Sequence, residues 1–186
     1  MGASDLMFRA LGGAQTTAEI VAEVAAVHAA AYPGQPAPGG PASAAFTRRF
    51  GVHRRQPGFV LAAARHGGYL VGYAAGLPLR PATSWWRDLT SALPEEVTAE
   101  PAGRTFALVD LAVRPSWRRQ GIGRTLHDLV LANRPEERAS LTVPPSAAAA
   151  QRAFRSWGWQ KVARTRTGDM ADAVADVLLL ALPVSR

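Results

Sequence analysis

One segment narrows the fold more than any other. TFALVDLAV, Thr105–Val113, is an apolar run of strand composition, with Asp110 the only charge between Phe106 and Val113. A basic turn follows. Gly121 and Gly123 then open a stretch in which Leu126, Leu129 and Val130 recur at helical spacing. A buried strand that turns through glycine into an amphipathic helix presents a row of backbone amides at the positive end of a helix dipole. Such a row binds phosphate oxygens. Spacing excludes two common phosphate motifs. A dinucleotide fingerprint needs glycine where Leu126 stands, and no Gly-Lys-Ser/Thr follows for a Walker loop.

The remaining pattern predicts a first strand over 5–11, with Leu6, Phe8 and Ala10 alternating against polar positions. Thr16 or Thr17 can cap a helix over 18–32, with Glu19 in its first turn. Seven of the nine residues at 33–41 are Pro or Gly, which predicts a loop. A second helix over 43–55 and strands over 59–65 and 69–77 follow, the strands separated by His66-Gly67-Gly68. The stretch 78–104 reads as irregular, and its Trp85-Trp86 pair predicts an ordered segment that covers something. After Thr105–Val113 come a helix over 123–133, a strand over 139–143 and a helix over 147–157 capped by Ser146 and ended by Gly158. Strands over 159–167 and 174–182 close the chain. This order predicts an α+β fold, a mixed α/β sheet, in one domain over residues 1–186.

Composition removes several chemistries. The chain has no cysteine, which rules out disulfides, a thiol nucleophile and Cys-ligated metal, and fits a cytoplasmic protein. His28, His53, His66 and His127 show no metal spacing, so no metal is expected. No apolar run is long enough for a membrane span, and the N-terminus lacks the order of a secretory signal. Basic residues outnumber acidic ones by 21 to 14, a net charge of +7, which favours an anionic ligand. The arginines are scattered and no nucleic-acid-binding signature accompanies them, so neither nucleic acid nor membrane is an expected partner.

The segment Arg118-Arg119-Gln120-Gly121-Ile122-Gly123 follows the strand end Leu111-Ala112-Val113 and the turn Arg114-Pro115. It resembles motif A of the GNAT-type N-acetyltransferase superfamily, [Q/R]-x-x-G-x-[G/A] behind an L-x-V strand end. The order of elements also resembles that fold, which implies about seven strands and four helices with a splayed central strand pair. Residues 146–159 resemble the family's second acyl-CoA segment through Ala150, Phe154, Gly158 and Trp159. The resemblance implies acetyl-CoA as co-substrate. Its pantetheine arm would pair with the backbone of Leu111, Ala112 and Val113 as an added strand. Its diphosphate would lie on the amides of Arg119, Gln120, Gly121, Ile122, Gly123 and Arg124, near the Arg118, Arg119 and Arg124 side chains. The family's usual Asn falls at Ala147, and its usual Tyr, cast as the acid that protonates the leaving thiolate, falls at Phe154. Phe154 keeps the ring near the sulfur but gives no proton. Tyr32, Tyr69, Tyr73 or water would replace it, although a thiol of pKa about 8.5 is already a fair leaving group.

The acceptor amine must lose a proton, and Asp110 is the candidate base, because a carboxylate in an apolar strand is rarely placed without a partner. The alternative is a structural acid held by backbone amides or an arginine. Asp88, Glu95, Glu96 and Glu100 precede this strand and are further candidates, while His127 reads as a surface or packing residue. Trp85 and Trp86 could wall the acceptor or pack the domain. The expected reaction is transfer of acetyl to a primary amine of a small molecule or peptide by direct attack in a ternary complex. A non-catalytic acyl-CoA-binding or regulatory module is the alternative, and a homodimer stays open. Acceptor choice would be set by residues 32–41, 78–104 and 165–173.

Overall fold

The computed structural model describes residues 5–32, 41–167 and 173–183. Seven strands, β1 (Leu6–Gly12), β2 (Val60–His66), β3 (Tyr69–Pro78), β4 (Thr105–Val113), β5 (Arg138–Val143), β6 (Gln160–Arg166) and β7 (Val174–Ala181), hydrogen-bond in the order β1-β2-β3-β4-β5-β7-β6. β4 and β5 run parallel, whereas β1–β2, β2–β3, β5–β7 and β6–β7 are antiparallel, so the sheet is mixed as expected. The helices are α1 (Ala18–Ala31), α2 (Pro41–His53), α3 (Glu95–Thr98), α4 (Ile122–Leu131) and α5 (Ala148–Ser156). The fifth helix, α3, is a single turn inside the stretch expected to be irregular. Four residues are too few to show helical periodicity. All other boundaries lie within two residues of expectation. The cap expected of Ser146 is absent: Ala147 occupies the N-cap of α5, with no side-chain hydrogen bond. Most of the Pro/Gly loop (33–40) and part of a segment expected to set acceptor choice (168–172) lie outside the described residues.

The chain divides into two compact units that share β4. The first comprises Met1–Leu77 and Leu108–Ala132. Thr17 caps α1 by accepting from the Ile20 amide, and Val21, Val24, Val27 and Ala31 make its buried stripe. That stripe joins Phe46 and Phe50 of α2 and Leu61, Ala63, Tyr73 and Ala75 of the sheet in one apolar core. Adjacent residues of a strand face opposite ways. Thus Tyr73 meets Phe50 edge-on at 6.2 Å, while Gly72 turns to α4. A Cβ on Gly72 would stand 3.1 Å from the Ala112 carbonyl oxygen and 3.2 Å from Leu126 Cδ1, so glycine here lets α4 lie close on the sheet.

A second close approach ties the turn after β1 to the end of α2. A Cβ on Gly13 would fall 2.0 Å from the carbonyl oxygen of Arg54, whose guanidinium donates to the Thr16 carbonyl at 2.9 Å. Backbone must therefore move to admit any side chain. Gly13→Ala is expected to cost about 1–3 kcal/mol, the usual range for overpacking. Gly12→Ala, whose Cβ meets only Gln15 Oε1 at 3.9 Å, is expected to leave the thermal midpoint nearly unchanged. Thermal unfolding of the two variants side by side checks this.

The second unit comprises Pro78–Ala107 and Asn133–Arg186. Val177 and Leu179 of β7 point to one face, where Trp85, Trp86, Leu89 and Leu93 cover them. Asp176 and Leu180 point to the other, where α5 lies: Gln151 donates to Asp176 at 3.1 Å. Leu180 Cδ1 is 3.5 Å from where a Gly158 Cβ would stand. The segment before β4 is ordered by backbone bonds, from the Thr90 amide to the Arg164 carbonyl (2.8 Å) and from the Arg166 amide to the Asp88 carbonyl (2.9 Å). The Trp pair thus packs this unit.

Candidate active site

β4 ends in a tight turn. The Arg114 amide donates back to Val71, and Pro115–Trp117 make one 3-10 turn. Arg119 and Gly121 then adopt left-handed conformations, with φ of 63° and 80°. Gly121 is the N-cap of α4 and no side chain caps that helix. The first intrahelical bond runs from Thr125 to Gly121, and the geometry of any helix start leaves the Ile122 and Gly123 amides without an intrahelical acceptor. A Cβ on Gly121 would meet nothing within 4 Å. Backbone conformation, not crowding by the chain, therefore calls for glycine, and the space over the turn is open. These features fit an anionic group held by main-chain amides.

The three arginines differ. The Arg118 guanidinium donates to the Val113 carbonyl (3.1 Å) and the Ala31 carbonyl (2.7 Å), tying α1 to the end of β4. Arg124 pairs with Asp128 one helical turn on, at 2.8 Å. Arg119 is exposed. Arg118 and Arg124 thus already have partners within the protein, which sequence spacing did not reveal.

The β4–β5 ladder covers only Thr105 to Ala107 against Arg138 to Ser140. Beyond it β4 carries Asp110, and around that carboxylate the first unit gathers a polar cluster. The Tyr73 hydroxyl donates to Asp110 Oδ2 at 2.8 Å. His28 Nδ1 lies 3.2 Å from the Tyr73 oxygen and 3.4 Å from Asp110 Oδ2. The Tyr73 proton is engaged with the carboxylate, and both oxygens facing Nδ1 can only accept there. This assigns the hydrogen to Nδ1. Burial, then the Asp110 charge and the hydrogen bond to it, holds the Tyr73 hydroxyl well above the usual phenol range, so it remains a donor. The imidazole stacks on Phe46 at 4.0 Å and leans on Tyr32 at 4.8 Å.

Tyr32 is partly exposed but turns its hydroxyl onto the Leu111 carbonyl, at 3.2 Å. Desolvation there, with Asp110 adding to it, pushes the hydroxyl up to about 12. His53 is held below the ordinary imidazole value by burial and then by Arg49, with Asp110 opposing.

Among the other candidates, Glu100, Trp85, Trp86 and His127 have structural partners. Glu100 is buried and accepts from Trp86 Nε1 (3.1 Å), Thr105 Oγ1 (3.0 Å) and Arg138 (3.5 Å), anchoring the segment that precedes β4. Glu95 and Glu96 begin α3. The Trp85 indole donates to Ser140 at 2.9 Å. His127 is fully buried with Nδ1 2.8 Å from Asp128 Oδ1, and burial lowers it. Phe154 is buried in the second unit, edge-on to Trp157 and Trp159 at 5.5 and 5.8 Å. Tyr69 lies under the Arg114 guanidinium at 4.5 Å. No group of three or more metal-ligating side chains occurs among the described residues, and no described helix is long and apolar enough to cross a membrane. Sequence spacing missed His28 and Tyr73 as partners of Asp110. The available signal was a hydroxyl in the apolar run of β3, which needs a partner when buried.

Residues 23–159 match the model of the family described as the acetyltransferase (GNAT) family. The chain belongs to that family. No curated protein matches the sequence. Solved structures match across nearly the whole chain. One is a putative GNAT-family acetyltransferase from Desulfovibrio desulfuricans, 19% identical with a TM-score of 0.67, covering 95% of this chain and 98% of that one. Another is the ribosomal-protein-S18-alanine N-acetyltransferase from Escherichia coli, 17% identical with a TM-score of 0.63, covering 97% and 95%. A third is NAA60 from Arabidopsis thaliana in complex with acetyl-CoA, 14% identical with a TM-score of 0.63, covering 95% and 98%. At these identities the likeness establishes the fold. Family membership makes this GNAT protein an acyl-CoA-dependent N-acetyltransferase, with acetyl-CoA as its co-substrate.

Proposed function

We propose that this GNAT protein transfers acetyl from acetyl-CoA to the primary amine of a small molecule or peptide, in a ternary complex, with Asp110 as the base. The observation that carries the reading is the carboxylate on β4 with its two partners, Tyr73 at 2.8 Å and His28 at 3.4 Å, immediately before Leu111–Val113. An amine of lysine-like pKa is protonated at neutral pH, and freeing it costs about 4–5 kcal/mol. A carboxylate beside the acceptor, oriented by a hydroxyl donor, holds the ammonium and takes its proton. The amine nitrogen then attacks the thioester carbonyl carbon, the carbon–sulfur bond breaks as thiolate departs, and the second proton leaves the nitrogen for that thiolate through water.

The main chain of Leu111, Ala112 and Val113 would bind the pantetheine arm, and the amides of Arg119 to Arg124 the diphosphate. Acetyl-CoA supplies the activated acyl group; the chain supplies position and charge. At about 12, the Tyr32 hydroxyl keeps its proton and acts as a hydrogen-bond donor, so no tyrosine here need protonate a thiolate that is already a fair leaving group. The absence of cysteine supports action in the cytoplasm.

Calorimetry with acetyl-CoA and a thiol-release assay over amino acids, polyamines, aminoglycosides and peptides test the reading. Binding together with release is expected from at least one class. Binding without release from any amine would instead favour a non-catalytic acyl-CoA module, the reading that Phe154 in place of tyrosine would explain.

A further inference from the structure

The acetyltransferase reading leaves the acceptor open, and α2 carries Arg49 near the polar cluster. Arg49 makes no ion pair among the described residues. Its guanidinium carbon lies 5.7 Å from the centroid of the Phe46 ring. The same ring carries the His28 imidazole at 4.0 Å, and His28 in turn faces Asp110. The Phe46 ring therefore touches both the cation and the imidazole, and the imidazole faces the carboxylate. The two charges also act on the same groups: Asp110 raises and Arg49 lowers both Tyr73 and His53. Arg49 thus lies within electrostatic reach of the cluster.

We infer that the acceptor is a zwitterion, an amine that also bears a carboxylate or phosphate, with its ammonium on Asp110 and its anion on Arg49. This rests on the acetyltransferase reading and adds the substrate class to it. The partly exposed Tyr32, packed on the His28 imidazole, offers apolar surface for the part between the two charges. A guanidinium fits carboxylate and phosphate alike, because both present paired oxygens to its fork of donors. A polycationic acceptor would instead bring a further positive charge against Arg49.

The experiment compares matched amines in the thiol-release assay. Phenylalanine is set against phenethylamine, and 3-aminopropyl phosphate against butylamine. The zwitterion of at least one pair is expected to be favoured about 10- to 100-fold in kcat/KM, the worth of one charge-assisted contact. Arg49→Gln is expected to collapse that ratio to within about threefold through KM, Arg49→Lys to restore part of it, and Arg48→Gln, an exposed neighbour, to leave it intact. Calorimetry of the same zwitterions with CoA present gives a readout independent of turnover. Arg49-dependent binding without thiol release would keep the zwitterion site and overturn acetyl transfer. Plain amines that react as well as their zwitterionic partners, or a preference that survives Arg49→Gln, would overturn the inference while leaving the transferase reading intact. No binding and no reaction of any zwitterion would also overturn it.

Discussion

Asp110→Asn is expected to lower kcat/KM for amine acetylation about 100- to 1,000-fold, within the range that removal of a general base produces. The substitution keeps shape and keeps an oxygen for the Tyr73 hydroxyl, now 2.8 Å from the carboxylate. It removes the charge that holds an ammonium and the site that takes its proton. Affinity for CoA should hold within about threefold, because the groups assigned to it are main-chain atoms of Leu111 to Arg124, which an isosteric change at Asp110 leaves in place. Stability should fall by no more than about 1–2 kcal/mol, since a charge-assisted hydrogen bond becomes a neutral one. Steady-state kinetics, calorimetry and thermal unfolding of the one variant separate these three effects. Activity within threefold of the parent would make Asp110 a structural acid, as would a collapse of stability that accounts for the whole loss. Tyr73→Phe leaves the carboxylate but frees its orientation, and a smaller loss of about 10-fold is expected from kinetics on that variant.

The turn from β4 to α4 was legible because its information is local: an apolar strand, glycine at a left-handed position and an amphipathic helix follow one another between Thr105 and Leu131. Asp110 was legible for the same reason, as a charge out of place in its strand. Its partners were not. His28 and Tyr73 are separated from it by 82 and 37 residues in the sequence, and only the fold of α1, β3 and β4 brings them together. The arginines of the turn show the converse. A basic run beside a phosphate-binding turn suggests ligand contacts, but Arg118 bonds to the Val113 and Ala31 carbonyls, and the latter lies on a distant helix. Trp85 and Trp86 likewise could not be assigned until β7 presented Val177 and Leu179 to them. Glu100, one of four acids open as bases, proved to be a buried anchor for the same reason: Arg138 and Thr105 come from β5 and β4.

Gly121→Val is expected to weaken CoA binding by at least about 30-fold while leaving pantetheine affinity within about threefold. The position has φ of 80°, where a β-branched residue costs roughly 1–2 kcal/mol. Relief of that strain is expected to shift the backbone amides on either side of position 121. The new side chain also enters space where now nothing lies within 4 Å. Losing one charge-assisted bond to a phosphate oxygen costs about 1.5–3 kcal/mol, so losing one or two accounts for the expected drop. Pantetheine carries no diphosphate and would pair only with β4, which the variant does not touch. It therefore serves as the internal control for folding, with a thermal midpoint lowered by a few degrees as the independent check. Equal loss of both ligands would mean that the variant had damaged β4 itself, and Gly121→Ala, with one methyl in the same open space, would then carry the test. If CoA binds Gly121→Val as it binds the parent, the amides of this turn do not hold the diphosphate, and the placement of the whole cofactor along Leu111 to Arg124 fails with them.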